Sequence, residues 1–164
     1  MAVKIVKHTE GDSRTARAIP TITEFNEANI SHYWDVNKVA NRFWELAKDQ
    51  YKSHDYTKRY DPERSEFYRD LCSAIDGMLK FDKGTWYRKH CKMERHHLDE
   101  NVPQNVNMID VLEMIFDRVA AGMARGGTIY PIKLPEDVLN QAIQNTVEML
   151  KNEIEVVDDE HDES

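Results

Sequence analysis

The chain has 164 residues and carries 22 Lys and Arg against 30 Asp and Glu, a formal charge of −8. That length fits one ordinary domain, and 40% apolar and 32% charged residues with only six Gly and five Pro exclude a disordered or all-β chain and favour a helical one. The acidic balance speaks against strong nucleic-acid binding, where Lys and Arg on phosphates supply most of the affinity, and no stretch approaches the roughly 20 apolar residues of a membrane span.

In chain order, residues 1–28 read as an N-terminal arm, with a short alternating start at Val3-Lys4-Ile5-Val6 that predicts a strand or extended segment. Asn29 or Ser31 is a credible helix cap, followed by Val36, Val39, Ala40, Phe43, Trp44, Leu46 and Ala47 at helical spacing. Asp61-Pro62-Glu63 predicts a loop opening a second helix that carries Phe67, Leu71, Ile75, Met78 and Leu79 and weakens at Gly77. Asp82-Lys83-Gly84 reads as a turn, and a third helix is expected from Thr85 to about His97, broken by Val102-Pro103. The clearest helix runs from Met108 to Met123 and stops at Gly126-Gly127; the last begins near Pro135, with Val138, Leu139, Ala142, Ile143, Val147 and Leu150 facing a core. Residues 29–152 then form the helical domain. Residues 153–164, with seven acids and no Lys or Arg, read as an acidic disordered tail. Trp34, Trp44 and Trp86 are expected in the core or a cleft wall.

Two cysteines, Cys72 and Cys91, form no CxxC pair, so neither a disulfide framework nor a thiolate zinc site is indicated. No signal peptide is read, and a cytoplasmic location is expected. Seven histidines are unevenly placed: His90, His96 and His97 crowd together, and His54 is followed at once by Asp55. Imidazole and carboxylate together suit Mn, Fe, Co, Ni or Zn, with Mg a further candidate, as one ion or two. His90 and His97 would share a helical face and, with Glu94, could complete a second metal position.

The string His54-Asp55-Tyr56-Thr57-Lys58 resembles the signature of the HD phosphohydrolase superfamily. With His32 upstream and Asp117 downstream, the order His, His-Asp, Asp matches that superfamily's minimal metal set: His32, His54, Asp55 and Asp117. Pro62, Glu66-Phe67, His96-His97 and Glu113-Met114-Ile115-Phe116-Asp117 extend the resemblance, over about residues 32–150, to small uncharacterised HD-like proteins of bacteria and their phages. The resemblance implies an all-α, single-domain HD-type helical bundle. It also implies a metal-dependent phosphohydrolase in which metal-activated water attacks the phosphorus of a nucleotide or related phosphate ester. Such a protein would work in the cytoplasm, that of the host if phage-encoded.

In that reading Asp55 or Glu113 handles protons. Lys58 steadies the phosphate as a point charge, and His96, Arg95, Arg118 and Arg125 are further phosphate contacts. Asp110, seven residues before Asp117 on the same helical face, rivals it as a ligand. For His32 to reach His54 the chain must double back near Asn41 to Trp44, because one straight helix would hold them about 33 Å apart. Two other readings stay open: a helical pyrophosphohydrolase with Mg on Asp110, Glu113 and Asp117, and a non-catalytic HD-like module binding a nucleotide or a host protein. A homo-oligomer is compatible with all three.

Overall fold

The structure, a computed structural model, describes residues 2–7, 21–129 and 131–158. The fold is all-α apart from one small sheet. Strand β1 (Val3–Lys7) is followed by α1 (Ile22–Tyr51), α2 (Tyr56–Arg59), α3 (Glu63–Ile75), a 3₁₀ turn (Phe81–Lys83), α4 (Thr85–Met93), α5 (Met108–Gly126), α6 (Glu136–Lys151) and β2 (Ile154–Asp158). No helix among the described residues is long and apolar enough to cross a membrane.

Helix α1 differs from expectation at both ends of its first half. It starts at Ile22 rather than near residue 29, because Thr21 and Glu24 form a reciprocal capping box: Thr21 N–H donates to Glu24 Oε2 at 2.7 Å, and Glu24 N–H to Thr21 Oγ1 at 3.3 Å. It then runs unbroken through residues 41–44, where the chain was expected to double back. Asn41-Arg42-Phe43-Trp44 contains neither Gly nor Pro, so nothing interrupts the hydrogen-bond ladder.

The limits expected at residues 28 and 153 are not the structural ones. The chain divides into two compact units, one of residues 1–48 with 147–164 and one of residues 49–146, rather than a single domain with an arm and a tail. In the first, β1 pairs in parallel with β2, from Val3 opposite Ile154 to Lys7 opposite Asp158. Part of the expected disordered tail is therefore a strand, because Ile154, Val156 and Val157 supply β-forming side chains within the acidic run; residues 159–164 lie outside the described ones. Arg42 closes this unit with two hydrogen bonds to Glu153 Oε2, at 2.9 and 2.8 Å.

The second unit carries the site. Its core is Leu98, Val106, Val111, Met114, Val138 and Ala142. Met108 N–H donates to Thr146 Oγ1 and Asn145 to Val106 O, which ties α6 to the start of α5. Gly122 is required by packing: a Cβ there would stand 2.5 Å from the Thr128 carbonyl. Of the expected α3 core, Phe67 packs on Trp86, with ring centroids 4.3 Å apart, whereas Ile75 and Met78 are exposed. Trp86 is buried as expected; Trp44 is partly exposed on the wall of an apolar groove, and Trp34 is exposed.

Candidate metal centre

Three segments of the second unit supply the site. The first is the turn that ends α1, held by Ser53 N–H to Gln50 O and His54 N–H to Tyr51 O. His54 and Asp55 therefore project from a turn and not from a helix, and Asp55 sits in the left-handed region at φ 56°. Glu94 braces that conformation: its carboxylate accepts from Asp55 N–H at 3.1 Å and from Thr57 N–H at 2.9 Å. The second segment is α4 and the turn after it, since α4 stops at Met93 and leaves His96 and His97 beyond the helix. The third is α5, whose Asn107–Asp110 capping box fixes its start and whose Glu113 and Asp117 follow one and two turns on.

The imidazoles meet at these segments. His54 Nε2 lies 3.4 Å from Asp55 Oδ2 and 3.7 Å from Asp117 Oδ1. Asp55 Oδ1 is 3.5 Å from His90 Nε2 and 3.8 Å from His96 Nε2, and His90 Nε2 is 2.7 Å from His97 Nε2. Donor atoms of Asp55, His90, His96 and His97 all lie within 4.8 Å of one another, as do those of His54, His96 and Asp117. His96 belongs to both groups and Asp55 reaches towards both, an arrangement suited to two neighbouring ions.

The outer contacts decide which ring nitrogen is free. An ionised carboxylate only accepts, so His54 carries its proton on Nδ1, donating to Glu113 Oε1 at 2.9 Å, and turns Nε2 inwards. Thr57 Oγ1 donates to Glu94 Oε1 at 2.8 Å and so accepts from His90 Nδ1 at 2.6 Å, which again leaves Nε2 bare. His97 has Glu100 beside its Nδ1 at 3.6 Å. Trp86 stacks on His90, centroids 4.6 Å apart, and fixes the ring plane. At His54 and His90 the far nitrogen is thus held by a carboxylate or a hydroxyl, which is how metal-binding histidines are oriented.

Electrostatics agree. Burial, helped by neighbouring imidazoles, pushes His90 down to about 3 and His97 to about 4, so both are neutral; with the His90 proton on Nδ1, His97 Nε2 donates to His90 Nε2 at 2.7 Å, a proton that an ion would displace. The carboxylates of Asp117 and Glu113 draw His54 up to about 10, a proton that an ion would displace. Burial works to raise Glu113, but the hydrogen bonds from His54 and Gln50, with the His96 ring 3.6 Å away, outweigh it and bring it to about 2.

The residues fit a metal by an independent measure. Asp55 Oδ1 and both ring nitrogens of His96 are buried without a hydrogen-bond partner, a costly arrangement for polar atoms unless a ligand completes it. Asp55 Oδ1 and His96 Nε2 lie 3.8 Å apart, with His90 Nε2 3.5 Å from the same Asp55 oxygen.

Of the residues singled out in the sequence, His54, Asp55, His90, His97 and Asp117 come together, and His32 does not. It is exposed on α1, and the continuity of that helix removes the condition for it to share a metal with His54. Asp110 is excluded as a ligand by its partners: it accepts from Arg95 Nε and Nη2, both at 2.7 Å, and from Asn107 N–H. Arg95 is correspondingly committed to Asp110 and Asn105 rather than to a phosphate, and Arg118 to Asp99. Arg125 is exposed near the end of α5, two turns beyond Asp117. Lys58 reaches Asp55 Oδ2 at 2.6 Å. His96, expected among the substrate contacts, is instead buried at the centre, because α4 ends three residues before it and the chain turns it inwards. Thr57 and Glu94 have partners 33 to 39 residues away, and no local pattern announces them. A further group, Cys91, His97 and Glu100, is weaker, since burial raises the Cys91 thiol and keeps it protonated.

The fold and site define an all-α protein with a buried histidine and carboxylate cluster that could hold a metal. Residues 21–161 match the model of a family described as a family of unknown function, DUF5662, and the chain belongs to that family. No curated protein matches the chain. No solved structure matches it.

Proposed function

We propose that this protein is a metal-dependent phosphohydrolase of the HD type, acting on a nucleotide or a related phosphate ester. The observation that carries the metal reading is the convergence of unpartnered buried donors, Asp55 Oδ1 and His96, with the inward nitrogens of His54 and His90. His54, His96 and Asp117 would hold one divalent transition ion, and Asp55, His90 and His97 a second beside it. Such ions, when bound, lower the pKa of a water and offset charge developing on a phosphoryl group.

The phosphate reading is supported by the resemblance of His54-Asp55-Tyr56-Thr57-Lys58 and by Lys58, whose ammonium is partly exposed at the edge of the cluster and can turn from Asp55 to an anion. Of the two groups expected to move protons, Glu113 accepts from His54 through one oxygen and from Gln50 through the other. It positions His54, which leaves proton transfer to Asp55. The all-carboxylate Mg reading is disfavoured because Arg95 and Gln50 occupy Asp110.

The test pairs metal content with turnover, on wild type and on His54→Ala/Asp55→Ala. Phosphate release is measured from a nucleotide panel with added Mn, Co, Ni and Mg, and circular dichroism checks the fold of the variant. About one or two ions per chain, lost in the variant together with phosphate release, is the expected result. Wild type without metal and without metal-dependent turnover would overturn the proposal and turn attention to a binding role.

A further inference from the structure

We propose that α1 is a homodimerisation surface, and that two copies of this chain pair antiparallel along it about a two-fold axis at Tyr33. This inference is independent of the metal site. Ile22, Phe25, Tyr33, Val36, Ala40 and Trp44 are all exposed, Ile22 at 73% and Trp44 at 47%. At 100° per residue they fall within one arc of about 100° and run about 33 Å along the helix. The charged residues of the same stretch, Glu24, Glu27, Asp35, Lys38 and Arg42, lie outside that arc. An aromatic-rich stripe stripped of charge is the composition of an interface centre, not of an ordinary solvated face.

The stripe is self-complementary when reversed. With Tyr33 on the axis, residue n lies level with the partner's residue 66 − n, so that Ile22 faces the partner's Trp44, and Phe25 arrives level with the partner's Asn41, one residue beyond Ala40 on the stripe. At Ala40 the surface opens into a largely apolar groove of about 580 Å³ formed with Val36, Val39, Phe43, Trp44 and Leu150, with His32 and Asp35 also in its lining, room for the incoming Phe25. The polar positions match as well: Asn29 meets the partner's Asn37. Asn37 already donates through Nδ2 to Tyr33 O at 2.8 Å, so its Oδ1 is left to accept from the Asn29 amide across the axis. A parallel pairing would set Ile22 on Ile22 and Trp44 on Trp44 and leave the groove unfilled.

The area is sufficient. Six side chains about half exposed remove roughly 500 Å² per copy, and two copies reach the roughly 1,000 Å² that a specific interface needs. An isologous two-fold contact is also the commonest way for one chain to cover its own apolar patch.

Sedimentation of the full chain at tens of micromolar should give twice the 19.2 kDa monomer mass. Val36→Lys enters a two-fold interface twice and should weaken the dimer about a hundredfold or more, with unchanged helicity because Val36 is exposed in the monomer. In a Cys72→Ser background, Tyr33→Cys should oxidise to a disulfide-linked dimer, and Ile22→Cys should link only when paired with Trp44→Cys. A wild-type monomer would overturn the proposal, whether another segment or nothing covers the stripe. A dimer that cross-links through Ile22→Cys alone, or that Val36→Lys leaves intact, would overturn it too.

Discussion

Replacing Thr57 by Val tests whether the outer contacts tune the metal centre. Thr57 is fully buried, and its hydroxyl both accepts from His90 Nδ1 at 2.6 Å and donates to Glu94 Oε1 at 2.8 Å. Val keeps the shape and the backbone bond from residue 57 to Glu94, so Glu94 stays partly satisfied while His90 Nδ1 loses its acceptor. One unsatisfied buried donor costs about 1–3 kcal/mol, which for a chain of this size lowers Tm by roughly 2–12 °C. The freed imidazole can also shift its proton to Nε2, the atom that must carry the lone pair, and loss of such an outer partner weakens metal binding about 10- to 100-fold. Competition titration against a chelator should therefore show the wild-type number of ions bound with that loss of affinity, whereas His90→Ala should lose an ion or bind it far more weakly. Unchanged affinity with a lowered Tm would refute the relay and reduce Thr57 to a packing residue.

Two further outcomes follow from the same geometry. Asp110→Asn should destabilise the fold by a few kcal/mol, because Arg95 loses its carboxylate partner, while metal content is kept; Asp117→Asn should do the reverse, with denaturant titration and elemental analysis reading the two effects. In metal-stripped protein, stability should peak near pH 6.5. His90 and His97, at about 3 and 4 in the fold, contribute stability above their unfolded value that is lost as pH falls from 6.5 towards those values; His54, raised to about 10, contributes stability below 6.5 that is lost as pH rises towards 10. A Tm that climbs steadily from pH 6.5 to 9 in the presence of chelator would show that His54 is not held by Asp117 and Glu113.

The helical fold was legible in the sequence because it is written in local periodicity: the apolar spacing of α5 and α6 and the punctuation at Gly127 appear in the structure as helices and a left-handed cap. The Thr21–Glu24 capping box is local too, a signal that competes in the sequence with Asn29 and Ser31. His54, Asp55, His90, His97 and Asp117 could be nominated from residue type and clustering alone, since few side chains bind metals well. Choosing between Asp110 and Asp117, removing His32, and moving His96 to the centre could not be done that way. Each depends on which side chain from a distant segment arrives first: Arg95 on Asp110, an unbroken α1 that leaves His32 exposed, and a helix end at Met93 that turns His96 inwards. The pairing of β1 with β2 is of the same kind, a parallel ladder between the two ends of the described chain that no window of sequence contains. Sequence sets the local conformation and the donors available. Only the tertiary structure sets which donors are already satisfied, and so which remain for a ligand.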